Sequence, residues 1–182
     1  MFKTITAALI AAGIVVMTPA LSAEGMSKEA YKSEKDRISA EYKADKERCA
    51  SLSGNKKDIC QAEAKGKEKT AKAEAEARYK GTAAAHTNAL IARADADYAV
   101  AKEKCDDLKG NPKDVCVKEA KAAHTRAKVD AKANRKVAEV RKDAAEDKRD
   151  ADYAVAKEKC DKFSGDAKDK CIKEAKARFG KT

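Results

Sequence analysis

The feature that most constrains the fold of this chain is a cysteine pair that occurs three times around the same short turn. The pairs are Cys49 with Cys60, Cys105 with Cys116, and Cys160 with Cys171. In each pair ten residues separate the thiols, which stand symmetrically about a Gly-Asn or Gly-Asp bond. Because this symmetry places the thiols opposite each other on the arms of a turn, it predicts three antiparallel helical hairpins, each closed by its own disulfide.

Each turn carries residues that end one helix and begin the next. The glycines Gly54, Gly110 and Gly165 stand where a helix ends in the left-handed conformation. The residues that follow them, Asn55, Asn111 and Asp166, are expected to be the N-caps of the next helices. Because the turn is so short, the two helices of each unit have to run antiparallel, side by side.

The composition favours long helices over a large globular core. Of the 182 residues, 40% are charged and only 4% are aromatic, and alanine makes up much of the hydrophobic 43%. Ala, Lys, Glu and Arg are strong helix formers, whereas alanine buries little apolar area. We therefore predict an all-α fold of long antiparallel helices joined by three disulfide-stapled turns, arranged as elongated hairpins or a coiled-coil bundle.

The stretches between the turns contain no proline and only isolated glycines, which predicts helices over 28–53, 55–109, 111–164 and 166–179. Gly81 is the position where the second of these is expected to kink or break. Folding back at each turn would bring the first and last helices to one end as a four-helix bundle. A loose string of three hairpins is the alternative. Mostly apolar residues in alternating steps of three and four, from Ala84 through Tyr98 and Cys105 to Leu108, predict a packing seam of coiled-coil type. Val137, Val140 and Ala144 fall out of the register of such a seam, which predicts a stutter there.

The N-terminal segment has the pattern of a secretion signal. Lys3 precedes a short apolar run over 5–16, and the small residue Ala23 ends a Pro-Ala-Leu-Ser-Ala stretch. We expect cleavage after Ala23 and export to an oxidising compartment, where the cysteines can pair. An uncleaved membrane anchor is the alternative. The predicted organisation is a signal peptide at 1–23 followed by hairpin units at 24–80, 81–135 and 136–182.

The cysteine spacing argues for structural bridges. A redox pair usually has two residues between its cysteines at a helix start, and structural zinc needs four ligands. A spacing of ten residues fits neither, although a thiol-redox or stress protein stays as an alternative. His86 and His124 are not expected to share a metal, and no nucleophile–base set or phosphate-binding loop is present in the sequence. We predict no enzymatic activity, no cofactor and no metal site.

The net charge of +10 is the property that points to a partner. Lys3 is the only charged residue in the signal segment, so cleavage would leave a net charge of +9. Binding of lipopolysaccharide or anionic lipid is therefore kept as an alternative function. Nucleic acid is not expected, because the densest basic stretch lacks aromatic residues for base stacking and the chain is exported. The candidate patch consists of Arg126, Lys128, Lys132 and Arg135.

The unit KEKCDDLKGNPKDVCVKEAKA and its copies resemble the small exported Ala/Lys-rich proteins of Gram-negative proteobacteria that are described as TolA-like cell-envelope proteins. The likeness covers the signal peptide and the three cysteine units, and TolA itself is similar only in its central helical stalk. The resemblance implies a periplasmic location. We expect a non-enzymatic structural or interaction protein, a stapled helical rod or scaffold, with envelope proteins or anionic envelope polymers as partners.

Overall fold

The computed structural model describes residues 25–181, which form five α-helices and contain no β-strand. The helices are α1 (Lys28–Ala50), α2 (Gly54–Lys80), α3 (Ala83–Cys105), α4 (Asn111–Cys160) and α5 (Gly165–Phe179). This arrangement confirms the predicted all-α fold of antiparallel helices joined by three stapled turns. The predicted signal peptide lies outside the described residues.

The expected break at Gly81 is confirmed, and it is a full reversal of the chain, so the predicted helix over 55–109 is two helices. Gly81 has a φ of +61°, and its N–H donates to the carbonyl oxygen of Ala77 at 2.9 Å, which ends α2. The hydroxyl of Thr82 then accepts the N–H of Ala85 at 3.2 Å and caps α3. Gly81 and Thr82 therefore form a further hairpin turn, which carries no disulfide.

Small residues let α2 and α3 pack closely along this unstapled hairpin. Ala77, Ala85 and Ala89 form a buried cluster next to the turn. Further along, Gly66 is buried, and a Cβ atom added to it would lie 2.9 Å from the Cβ atom of Ala96. Because such a distance leaves no room for a side chain, the pair is held by close backbone approach and not by large apolar groups.

Each helix packs against the helices that precede and follow it in the chain. Within residues 25–181, no two non-successive helices bring their Cα atoms within 8 Å of each other. The four-helix bundle expected at one end is therefore not formed. The reason is the reversal at Gly81, since only a straight helix over 55–109 would bring the first and last helices to the same end.

α4 is the longest helix and takes part in two hairpins. Its 50 residues span about 75 Å at 1.5 Å per residue. It packs on α3 in its first half and on α5 at its end, so the sequence-based boundary at 135/136 falls inside one continuous helix. Every residue from 132 to 152 is exposed. Val137, Val140 and Ala144 lie in this stretch, so the expected stutter within a packed seam is not formed.

Candidate functional site

The three disulfides form as predicted, each within a single turn. The Cα–Cα distances are 5.6 Å for Cys49–Cys60, 5.7 Å for Cys105–Cys116 and 5.7 Å for Cys160–Cys171. The first cysteine of each pair is almost completely buried. Because cysteines stay reduced in reducing compartments, three disulfides in so short a chain indicate an oxidising, exported environment.

The turn glycines have the predicted positive φ angles, but they do not end the preceding helices. Their φ angles are +56° at Gly54, +61° at Gly110 and +54° at Gly165. Gly54 and Gly165 begin α2 and α5, and Gly110 precedes α4 with a ψ of −148°, which lies outside the left-handed helical region. Because residues with side chains rarely adopt a positive φ, glycine is the residue that each turn requires.

The predicted capping role of the residues after these glycines is wrong. Asn55, Asn111 and Asp166 each lie inside the first turn of the helix that they were expected to precede. The reason is that α2 and α5 already begin at their glycines and α4 at Asn111, so the capping position comes earlier. The side-chain N–H of Asn55 instead donates to the carbonyl oxygen of Glu103 at 2.8 Å. This bond joins the first stapled turn to the end of α3.

Two of the stapled turns carry an ion pair that the sequence analysis missed. The Nζ atom of Lys113 lies 2.9 Å from Oδ1 of Asp106, and that of Lys168 lies 2.9 Å from Oδ1 of Asp161. The hydrogen bond to the aspartate raises the pKa of each lysine. In both turns the aspartate directly follows the first cysteine and the lysine is the third residue after the glycine. That shared spacing is the signal that could have revealed the pair; the first turn has Ala50 at the aspartate position.

A cluster around His124 joins α3 to α4 about two helical turns from the second disulfide. The rings of Tyr98 and His124 stack with their centroids 4.8 Å apart and their planes inclined by 14°. Nε2 of His124 lies 2.5 Å from Oδ1 of Asp95, and Nζ of Lys128 lies 3.2 Å from the same oxygen. Hydrogen bonding to His124, and then to Lys128, holds the pKa of Asp95 below its ordinary value.

The third hairpin indicates that His124 has a packing role. Tyr153 stands seven residues before the first cysteine of its unit, as Tyr98 does, and Phe179 stands eight residues after the second cysteine, as His124 does. The rings of Tyr153 and Phe179 meet edge to face with centroids 6.3 Å apart. A phenylalanine cannot bind a metal, so what the two positions share is a ring contact across the hairpin. Across residues 25–181, no group of three or more His, Cys, Asp or Glu side chains could hold a metal ion.

We expect Asp95 to make the stability of the protein depend on pH. A carboxyl group whose pKa is lowered by folding stabilises the fold above its unfolded pKa, and this contribution is lost as the pH falls through the lower folded pKa. The difference in free energy of unfolding between wild type and Asp95→Asn should therefore shrink between about pH 5 and pH 2. Because the side chain of Asp95 is 50% exposed, this difference should stay below about 1 kcal/mol at pH 7.

Urea unfolding across this pH range measures the effect, with Asp97→Asn as the matched control. Asp97 is exposed on the same helix and carries the same charge, but His124 and Lys128 form their ion pairs with Asp95 and not with Asp97. A difference between wild type and Asp95→Asn that stays constant with pH would contradict the assignment.

The four residues of the predicted basic patch do not share one face of α4. Lys128, Lys132 and Arg135 are spaced by four and three residues and lie on one side, whereas Arg126 points about 160–180° away from Lys128 and Arg135. Lys128 is bound to Asp95, and Nε of Arg135 lies 3.0 Å from Oε1 of Glu139 in the same helix. The shared basic face therefore contains three residues, two of which have an acidic partner.

The grooves beside the helices are open and carry mixed charges. The groove between α2 and α3 has a volume of about 360 Å³ and contains the carboxylates of Asp58, Asp95 and Glu103 together with Lys65 and Lys69. Ligand sites usually combine an apolar enclosure with a few convergent polar groups. This groove instead presents acidic and basic side chains along a solvated surface.

Among residues 25–181, no helix has both the length and the apolar character needed to cross a membrane. Comparisons of the chain with protein-family models, curated proteins and solved structures gave no match.

Proposed function

We propose that this chain is a non-enzymatic structural or interaction protein of the cell envelope, a disulfide-stapled helical rod or scaffold. The observation that carries the proposal is α4, a continuous helix of 50 residues that is joined covalently to a hairpin partner at each end. Its length of about 75 Å is set by the rise of the helix. A chain in which most residues form one long helix and closed hairpins is suited to spacing or connecting other molecules.

The burial of the disulfides supports a structural role over the alternative redox or stress role. Thiol–disulfide exchange requires a thiolate to reach one of the sulfur atoms. Cys49, Cys105 and Cys160 are at most 1% exposed, and the second cysteine of each pair is half-buried. Exchange at these bridges would require the hairpins to open first.

The proposed location is the periplasm. Three considerations support it: the signal-peptide pattern that ends at Ala23, the resemblance to TolA-like envelope proteins, and the oxidising environment that three disulfides indicate. In this location the bridges would form after export, and the rod would act through its surface.

Production of the full chain in a Gram-negative host, followed by fractionation, tests the location and the bridges together. We expect the protein in the periplasmic fraction, beginning at Glu24, and non-reducing peptide mapping should show the three local bridges. Leu9→Arg is the matched control, because a charge in the apolar run should keep the chain uncleaved and in the cytoplasm. An uncleaved wild-type chain in the cytoplasm, or bridges between turns, would contradict the proposal.

Small-angle X-ray scattering of the purified, disulfide-bonded protein tests the rod itself. The maximum dimension should be at least about 75 Å, the length of α4 alone. A compact particle with a smaller maximum dimension would rule out a rod.

Binding of lipopolysaccharide or anionic lipid is a second candidate function, favoured by the charge of α4. Residues 118–136 contain seven Lys or Arg and only two Asp or Glu residues. Such a local excess of positive charge attracts anionic surfaces and polymers. Lys128, Lys132 and Arg135 present part of it on one face.

Co-sedimentation with lipid vesicles distinguishes this candidate. The protein should bind vesicles that contain anionic lipid, dissociate from them in high salt, and not bind neutral vesicles. Replacing Lys128, Lys132 and Arg135 by glutamine should abolish binding, whereas Arg126→Gln on the opposite side of α4 should leave most of it. Binding that is equally sensitive to both changes would exclude a site on that face.

A further inference from the structure

The outer side of α4 carries a stripe of valines that no part of residues 25–181 covers. Its members are Val115, Val129, Val137, Val140 and Val155, which are the five exposed valines of the described residues and are between 44% and 66% exposed. At 100° per residue, all five fall within about 80° of the helix circumference. Ala133 and Ala144 lie between them on the same side, together with the charged residues Glu119, Arg126 and Asp147. We call this surface the outer stripe.

The outer stripe is distinct from the face with which α4 packs inside the chain. The buried residues of α4 are Ala131 and Cys160. They point about 160° and 180° away from the centre of the stripe. α3 and α5 therefore both lie on the far side of α4, and the stripe is open along its whole length of about 60 Å.

Helix propensity does not account for these valines. Valine is a poorer helix former than Ala, Lys, Glu or Arg, the residues that fill the rest of α4. A helix that only had to stay soluble and helical would use the latter at exposed positions. Valines repeated along one side instead indicate a surface that is buried against a partner.

The distribution of charge along α4 indicates what that partner is. Residues 118–136 contain seven basic and two acidic residues, whereas residues 137–152 contain six acidic and four basic residues. A second α4 running antiparallel would place the basic half of each helix beside the acidic half of the other. A parallel arrangement would place like charges together, which is unfavourable.

We propose that two copies of this chain associate through the outer stripes of their α4 helices, antiparallel, about a two-fold axis near residue 135. The facing pairs would be Val115 with Val155, Val129 with Val140, and Ala133 with Val137. Flanking pairs of opposite charge would be Lys132 with Glu139 and Asp130 with Arg141. Such a self-complementary contact is the usual geometry of homodimers.

Sedimentation equilibrium of the purified, disulfide-bonded protein tests the association. Wild type should form a reversible dimer, and the double variant Val137→Lys/Val140→Lys should raise the dimer dissociation constant at least about tenfold, because it buries two ammonium groups. The matched control is Ala138→Lys/Ala145→Lys, which adds the same two charges to exposed positions away from the stripe. It should change the constant by less than about threefold. Circular dichroism checks that both variants stay helical.

Charge exchange tests the antiparallel orientation. Lys132→Glu and Glu139→Lys should each weaken the dimer, and the two changes together should restore it, because each residue faces the other across the axis. A wild-type protein that is monomeric up to about 0.1 mM would overturn the proposal. So would a dimer that the control variant weakens as much as the stripe variant, or one that the single charge changes leave intact.

Discussion

Removal of the Cys160–Cys171 disulfide is expected to release α5 from α4 while the other hairpins stay folded. α5 has only 15 residues, of which Ala175 alone is buried, and a groove of about 560 Å³ runs beside its contact with α4. A helix of this length is marginal in water without tertiary contacts. The bridge spans a sequence separation of 11, for which the chain-entropy account gives about 3 kcal/mol. The packing that remains is too sparse to replace it.

Hydrogen exchange of the backbone amides measures this release in Cys160→Ala/Cys171→Ala. The amides of α5 should lose their protection, whereas those of α2 and α3 should keep theirs. Cys105→Ala/Cys116→Ala is the matched control. Its α3 should stay protected, because α3 also packs on α2 and its Tyr98 stacks on His124. Full protection of α5 without its bridge would show that packing, and not the disulfide, holds the third hairpin.

Gly66→Leu is expected to destabilise the α2–α3 hairpin, which has no disulfide. A Cβ atom at Gly66 would already lie 2.9 Å from that of Ala96, so a leucine has to push the two helices apart. Overpacking of this kind costs about 1–3 kcal/mol, from which the better helix propensity of leucine recovers somewhat less than 1 kcal/mol. Urea unfolding followed by circular dichroism measures the net loss.

Exchange of the two small residues provides the control for this change. Gly66→Ala/Ala96→Gly moves one methyl group from α3 to α2 and leaves the summed helix propensity unchanged. The double variant should therefore be closer to wild type than Gly66→Leu is. Lys65→Leu, at the exposed neighbouring position, should have little effect. If Gly66→Leu were as stable as Lys65→Leu, the close approach of the helices would not matter for stability.

The stapled turns could be predicted from the sequence because several local signals agree there. The cysteines stand symmetrically about the turn, and a glycine stands at its centre, where the tight reversal requires a positive φ. Gly54, Gly110 and Gly165 all have one. The capping prediction was wrong at Asn55 and its equivalents because the first backbone hydrogen bonds of the helix decide where it begins. When the helix begins one residue earlier than expected, the expected cap residue lies inside it.

The break at Gly81 was predicted, but its full reversal into a hairpin was not, because one glycine is tolerated inside a helix or only kinks it. The signal was the threonine after it, since Gly81 and Thr82 together supply the end of one helix and the cap of the next. The second signal was Gly66, which weakens an isolated helix but permits close packing once α3 lies beside it. α3 buries Ala85 and Ala89 next to α2 and packs Tyr98 against α4. A single packing seam along the helix does not predict that α3 contacts two different helices.

The candidate surfaces of α4 were only partly evident from the sequence. The basic stretch was visible, but its division into two sides follows from helical geometry, which separates Arg126 from Lys128 and Arg135. The valines were visible as a departure from the seam at Val137 and Val140. Their position opposite the packed face became clear once α3 and α5 were seen to share one side of the helix.

Because α4 is continuous between its two disulfides, the number of residues between them sets how the two hairpin partners are rotated about the helix axis, as well as how far apart they lie. Cys116 and Cys160 are 44 residues apart. At 100° per residue this is about twelve turns plus 80°, so both hairpin partners face broadly the same way. Each residue inserted or lost between them would swing one hairpin by about 100° around the axis relative to the other, whereas the loss of seven would return it to within about 20°. The segment therefore sets a dihedral angle between two rigid arms, and only near-integral numbers of turns preserve that angle.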